Sequence, residues 1–159
     1  MKEAIELDSI DTRIIGALQK QGRLSYEELG QQVGLSASAT LRRVRRLEEA
    51  GVLAGYVALV RARLVGLNLT AYIQVRLSKP AGNDKRSPLD LIAVAVQGWN
   101  EVIDCTALTG EMDLLLKVVV ADMDHFSRFL MDTLLKHPSV QDCKTSFVMK
   151  PLKAGPVLV

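Results

Sequence analysis

Residues 25–51 read SYEELGQQVGLSASATLRRVRRLEEAG. Two short amphipathic patterns flank a tight glycine-containing turn, Val33-Gly34-Leu35-Ser36. The second pattern carries Arg42, Arg43, Arg45 and Arg46, and no acid occurs from Leu29 to Leu47. At about 100° per residue, Thr40, Leu41, Val44 and Leu47 share one side of a helix. Arg42 and Arg46 point the opposite way, flanked by Ser38, Arg43 and Arg45. Solvated helix faces ordinarily mix the two charge signs. A face with four arginines and small hydroxyl groups instead suits the second helix of a helix-turn-helix, laid in the major groove of DNA. The expected DNA-facing residues are Ser36, Ser38, Thr40, Arg42, Arg43, Arg45 and Arg46.

The flanking sequence completes a small helical domain. Leu7, Ile10, Ile14 and Leu18 recur at helical spacing. Asp8 or Asp11 starts that helix and Gly22 ends it. Ser25 with Glu28 forms a capping box for the second helix. Ser36 or Ser38 caps the third, and Gly51 stops it. Val52 to Leu64 reads VLAGYVALVRARL, a β-rich stretch with Gly55 as a bend signal, suited to a small wing or an extended linker.

From Leu67 the pattern changes. Leu69, Ala71, Ile73, Val75 and Leu77 alternate with Thr70, Tyr72, Gln74 and Arg76, which predicts a half-buried strand. Lys79 to Arg86 is a polar Pro/Gly loop with no assigned role. Ser87-Pro88-Leu89-Asp90 opens a helix by cap, first-turn proline and capping box together. Val102–Thr109 and Leu114–Val120 are strands of a hairpin around Gly110-Glu111-Met112-Asp113. Asp122 or Asp124 caps a helix that His137-Pro138 ends, and Val140–Met149 is the last strand. The order βαββαβ predicts a ferredoxin-like domain, with an antiparallel sheet and two helices on one face. LLLKVVV at 114–120 looks apolar on both sides. An apolar sheet face left open needs a partner, so a homodimer through this face is expected.

Composition narrows the function classes. The 159 residues are 48% hydrophobic and 4% aromatic, which predicts an aliphatic core. A formal charge of +2 is too small to imply nucleic acid by itself. Its placement says more: residues 1–64 hold ten basic and eight acidic residues, and residues 65–159 hold ten of each. Met1-Lys2-Glu3-Ala4 leads into an acidic amphipathic stretch, unlike a secretory leader, and no apolar run approaches the ~20 residues of a membrane helix. A cytoplasmic chain without a membrane is expected. Cys105 and Cys143 fit no disulfide or zinc pattern. No catalytic constellation, metal site or cofactor motif is found. His125 and His137 stand isolated. Glu111 and Asp113 either satisfy turn amides or pair with a ligand cation. A ferredoxin-like enzyme or amino-acid-binding module is the alternative function class, but it gives the arginine stripe no role.

Four stretches together resemble the Lrp/AsnC, or feast/famine, family of transcription regulators. They are LDSIDTRIIGALQKQGRLSYEELGQQVGLS (7–36), LRRVRRLEEAGVLAGYVALV (41–60), TALTGEMDLLLKVVVADMDHF (106–126) and TLLKHPSVQDCKTSFVMK (133–150). The resemblance implies an α+β chain. Residues 1–52 would be a (winged) helix-turn-helix DNA-binding domain, 53–66 a β hinge, and 67–159 an effector and oligomerisation domain. It implies double-stranded DNA as a partner, a homodimer assembling further to an octamer, and a small-molecule effector, an amino acid or a derivative. The effector residues it implies are Gly110, Glu111 and Asp113, with Ala107, Thr109 and Leu114 beside them. Ala37 departs from the proline that many members carry after the serine opening the third helix, and the Lys79–Arg86 loop is longer than usual.

Overall fold

The computed structural model describes residues 5–79 and 86–153. The expected polar loop Lys79–Arg86 lies, but for its two end residues, outside them. Two compact units meet in sequence between Leu59 and Val60.

The first unit holds α1 (Ser9–Lys20), α2 (Tyr26–Val33) and α3 (Ala37–Glu49). Each start is set by a side chain that accepts an otherwise unpaired backbone N–H. Asp8 caps α1 and Asp11 returns the bond to the Asp8 N–H. Ser25 and Glu28 do the same for α2. Ser36, rather than Ser38, caps α3 through Ala39 N–H. Ile14, Leu29, Val44 and Leu47 are fully buried and form the centre of this unit. Gly34 turns the chain between α2 and α3 with φ +78°.

Gly30 decides how closely α2 and α3 pack. A Cβ there would stand 2.6 Å from the Leu35 carbonyl oxygen and 3.0 Å from Thr40 Oγ1. No residue with a side chain fits this crossing. Leu35 N–H donates to the Gly30 carbonyl at 2.9 Å, which seals the turn.

The second unit is the βαββαβ arrangement: β1 (Leu69–Leu77), α4 (Pro88–Ala95), β2 (Val102–Ala107), β3 (Leu114–Val120), α5 (Met123–Arg128) and β4 (Val140–Phe147). The strands pair antiparallel in the order β2-β3-β1-β4. Ser87, Pro88 and Asp90 start α4 as the sequence requires. Asp122, not Asp124, caps α5, which runs on as a π-helical turn through Phe129–Leu134. Ala71, Ile73, Val75, Leu116 and Val118 are fully buried against Ile92, Phe126, Phe129 and Leu134. Each fully buried Ile or Leu contributes about 1.5–3 kcal/mol of transfer free energy.

Two expectations are corrected. Residues 54–61 carry no strand and Ala62–Val65 form a 3₁₀ turn, so the stretch forms no wing and runs instead as a linker, the other reading of its sequence. The stretch is β-rich, but the single chain offers its backbone no partner strand; Val57 and Leu59 are 83% and 78% exposed. The open sheet face is also not broadly apolar. It carries Tyr72, Gln74 and Arg76 from β1, Lys117 between Leu115 and Val119 from β3, and Asp142 and Lys144 from β4. The apolar run of β3 is two-sided, but its neighbours alternate, so the face they share is mixed.

Candidate nucleic-acid interface and ligand site

α3 presents its cations in two different states. Arg42 and Arg45 are exposed and make no ion pair among the described residues. Arg43 and Arg46 are tied to α1. Arg43 Nη1 donates to Asp8 Oδ2 at 2.7 Å and to Asp11 Oδ1 at 2.9 Å. Arg46 Nη2 donates to Asp11 Oδ2. Asp11 is fully buried, and its partners' side chains are 26% and 50% exposed. The backbone N–H of Asp11, joined by the Arg43 guanidinium, pushes the Asp8 carboxyl down to about 2 from its ordinary 3.8. The two carboxylates hold the arginines in place.

A groove of about 610 Å³ runs beside these residues, lined by all four arginines with Ser38, Leu41, Asp8 and Glu49. Ser36 and Ser38 sit exposed at its N-terminal end, their hydroxyls 3.2 Å apart. Such a surface offers small groups for base edges and guanidinium groups for phosphates.

Thr40 is corrected as a DNA-facing residue. It is fully buried, and its hydroxyl donates to the Ser36 carbonyl at 2.9 Å. The helical angle had already put it with Leu41, Val44 and Leu47, and the approach of Gly30 encloses it. Arg42 and Arg46 are both exposed, as their angle predicts, but among the described residues Arg46 is ion-paired, and Arg42 and Arg45 are the α3 arginines without a pair. The acids that hold the other two lie 32 and 35 residues away. The only sequence signal for them was the Asp-x-x-Asp spacing at the start of α1, which reads as a helix cap.

In the second unit the expected effector residues separate into two groups. Ala107 and Leu114 line a groove of about 400 Å³ between α4 and β2, with Leu89, Ala93, Val96, Gln97 and Asp104 among its walls. Thr109, Gly110, Glu111 and Asp113 form the hairpin tip outside it. Gly110 has φ +121°, a conformation that disfavours any side chain. Glu111 meets Arg76 Nη2 at 3.1 Å, and its side chain is 87% exposed.

Asp113 is turned inwards. Its Oδ2 accepts from Leu77 N–H at 2.7 Å, its own N–H donates to the Val75 carbonyl at 2.9 Å, and Leu108 N–H donates to its carbonyl at 2.8 Å. The carboxylate ties the hairpin to the end of β1, which corrects the expectation of an acid free to meet a ligand's ammonium. Gln97, which the sequence did not single out, adds a polar side chain to the groove from the 3₁₀ turn Val96–Gly98 that follows α4. Asp104 borders the groove, but its register opposite Lys117 and its bond with Thr106 Oγ1 turn its carboxylate to the open sheet face.

The histidines have local roles. His125 Nε2 lies 3.1 Å from Glu101 Oε1. His137 stacks edge-on against Trp99 at 5.9 Å, and burial lowers its pKa. Among the described residues no group of His, Cys, Asp and Glu is placed to hold a metal. No helix among them is long and apolar enough to cross a membrane.

Comparison with known proteins agrees with this division. Residues 7–48 match the AsnC-type helix-turn-helix domain, and residues 70–158 match the Lrp/AsnC ligand binding domain. The leucine-responsive regulatory protein of Escherichia coli K12 is 38% identical over 154 residues, 97% of this chain and 92% of that protein. A transcriptional regulator of Neisseria meningitidis, solved in complex with L-methionine, is similar with a TM-score of 0.91 at 42% identity, covering 97% of both chains. An AsnC family transcriptional regulator of Agrobacterium tumefaciens is similar with a TM-score of 0.86 at 27% identity, covering 96% of this chain and 97% of that one. A helix-turn-helix carrying a cationic recognition helix, joined to a βαββαβ ligand-binding domain and matched along nearly its whole length, places the chain in the Lrp/AsnC family of transcriptional regulators.

Proposed function

We propose that this regulator reads double-stranded DNA through α3 and that a small amino acid, held by residues of the second unit, modulates its DNA affinity or its assembly. The observation that carries the first part is the state of Arg42 and Arg45. They are exposed cations without an acidic partner among the described residues, beside the exposed hydroxyls of Ser36 and Ser38. Counter-ion release from phosphates gives such a face affinity, and contacts to base edges give it sequence preference. One recognition helix reads few bases, so the acting form is a homodimer matched to a two-fold site with half-sites about one helical turn apart. The unpaired stretch 54–61 and the mixed-charge open sheet face are surfaces that a second copy would cover; further assembly to an octamer accords with the family. The chain is a regulator rather than an enzyme and acts on DNA in the cytoplasm. In division of labour, residues 1–52 bind DNA, 53–66 link, and 67–159 bind effector and assemble.

For the effector, the groove between α4 and β2 is the best-supported seat. Leu89, Ala93, Val96 and Leu114 give it an apolar wall, while Gln97 gives it a polar side chain. The side chain of an aliphatic amino acid matches this wall. The named relatives respond to leucine or were solved with L-methionine. The experiment is fluorescence anisotropy of the full chain on a duplex selected from a random pool, with and without L-leucine, L-methionine and the other amino acids. At least one aliphatic amino acid is expected to change the apparent affinity, and Ala93→Phe, which fills the groove, to abolish that change without altering basal binding. No response to any amino acid would refute the effector assignment, and a normal response in Ala93→Phe would move the site elsewhere.

A further inference from the structure

Asp11 is fully buried yet carries an ionisable side chain at the third position of α1. A buried carboxylate is costly unless it is paired and hydrogen-bonded. Its Oδ1 accepts from Arg43, and its Oδ2 accepts from Arg46 and from Asp8 N–H at 3.2 Å. Both arginines belong to the helix that faces DNA in the proposed function. A guanidinium has five N–H donors. Arg43 spends Nη1 on Asp8 and Asp11, and Arg46 spends Nη2 on Asp11. Their other donors make no hydrogen bond among the described residues and belong to side chains that line the 610 Å³ groove. A long cationic side chain ordinarily has many rotamers to lose when it meets a phosphate. These two have lost them already.

Stability alone does not account for the triad. Replacing a buried ion pair with well-packed apolar residues is often neutral or stabilising. Arg42 and Arg45, on the same helix, have no acid holding them among the described residues.

We propose that Asp11 is a positioning residue for DNA binding: its buried carboxylate holds Arg43 and Arg46 with their remaining donors presented to the phosphate backbone. The inference rests on the recognition-helix reading. It makes arginine, rather than positive charge in general, the requirement at positions 43 and 46. A guanidinium can bond Asp11 and a phosphate at once through a rigid fork, and a lysine ammonium at the same place cannot serve both.

The test is DNA affinity of the full-length chain by anisotropy, with folding checked by circular dichroism at the assay temperature. Arg43→Met/Arg46→Met is expected to weaken binding at least about ten-fold. Asp11→Asn is expected to weaken it about ten-fold in the native background and less than about two-fold when added to that double variant, because the carboxylate acts through the arginines. Arg46→Lys, which keeps a cation beside Asp11, is expected to lose about five-fold, while Arg45→Lys stays within about two-fold. Equal losses from Asp11→Asn in both backgrounds would overturn the proposal, as would native affinity in Arg46→Lys. If Asp11→Asn is unfolded at the assay temperature, the Arg46→Lys comparison decides. Native affinity in Arg43→Met/Arg46→Met would overturn the assignment of these arginines to DNA, a different failure from that of Asp11.

Discussion

Gly30→Ala adds one methyl group at the crossing of α2 and α3. The new Cβ would lie 2.6 Å from the Leu35 carbonyl oxygen, where ordinary contact begins at 3.4 Å, so the backbones must part by about 0.8 Å. The obstacle is main chain and cannot rotate away. Thr40 Oγ1, at 3.0 Å, is held by its bond to Ser36 and also cannot retreat freely. Overpacking of this kind costs about 1–3 kcal/mol, or more where backbone must shift. Alanine returns about 1 kcal/mol through its better helix propensity. The net loss expected is therefore up to about 2 kcal/mol. For a unit of this size, each kcal/mol lowers the melting temperature by about 4–8 °C. Circular dichroism at 222 nm on the full-length chain is the assay, with Gly34→Ala as a comparison. Gly34 has φ +78° but nothing within 4 Å of its Cβ position, so its cost is conformational only. A higher melting temperature in Gly30→Ala, the ordinary result of replacing a helical glycine, would refute the argument that this contact sets the helix crossing.

Three further outcomes are expected. The Asp8 carboxyl, pushed down to about 2 from 3.8, stabilises the first unit above about pH 4, and that contribution is lost as pH falls towards 2. Asp8→Asn keeps a capping side chain and should flatten the pH dependence of melting between these limits; an unchanged acid limb would contradict this. Asp113→Ala leaves the Leu77 N–H without its acceptor and is expected to cost about 1–3 kcal/mol in denaturant unfolding. Asp113→Asn, which keeps a carbonyl oxygen there, should cost less, and equal costs would show that the bond is immaterial. Ser25→Ala removes the side-chain half of the α2 capping box and leaves the residue-25 N–H donating to Glu28; it should destabilise the first unit by about 1 kcal/mol, checked by the same melt, and a native melting temperature would count against the cap.

Local signals carried the elements. Ser25 with Glu28 and Ser87 with Asp90 mark helix starts because a cap and its return bond lie three residues apart in the chain. The alternation of Ala71, Ile73 and Val75 reports a one-sided strand for the same reason: the period belongs to the backbone. What stayed hidden depends on contacts between distant residues. The pairing of Arg43 and Arg46 with Asp11 spans α1 and α3. The inward turn of Asp113 requires the end of β1 beside the hairpin. Gly30 looked like an ordinary helix position, and the neighbour that forbids a Cβ there is the carbonyl after the turn. The stretch 54–61 has the composition of a strand, but a strand needs a partner that one chain does not supply. The effector groove joins α4 to β2, so the walls that Leu89, Ala93 and Val96 give it were invisible as a site, while Ala107 and Leu114 entered only through family resemblance.

The most direct test is the salt dependence of DNA binding by the full-length chain with Arg42→Ala and Arg45→Ala combined. Both side chains are exposed and unpaired among the described residues, so folding and oligomeric state should be unchanged. Each lost phosphate contact lowers the slope of log affinity against log salt by about 0.9. The slope is expected to fall by about two for each recognition helix engaged, with weaker binding at every salt concentration. If one of the two reads a base edge instead, the slope falls by half as much and preference relaxes at one position per half-site. Native affinity with a native slope would contradict the claim that α3 is the DNA-reading helix.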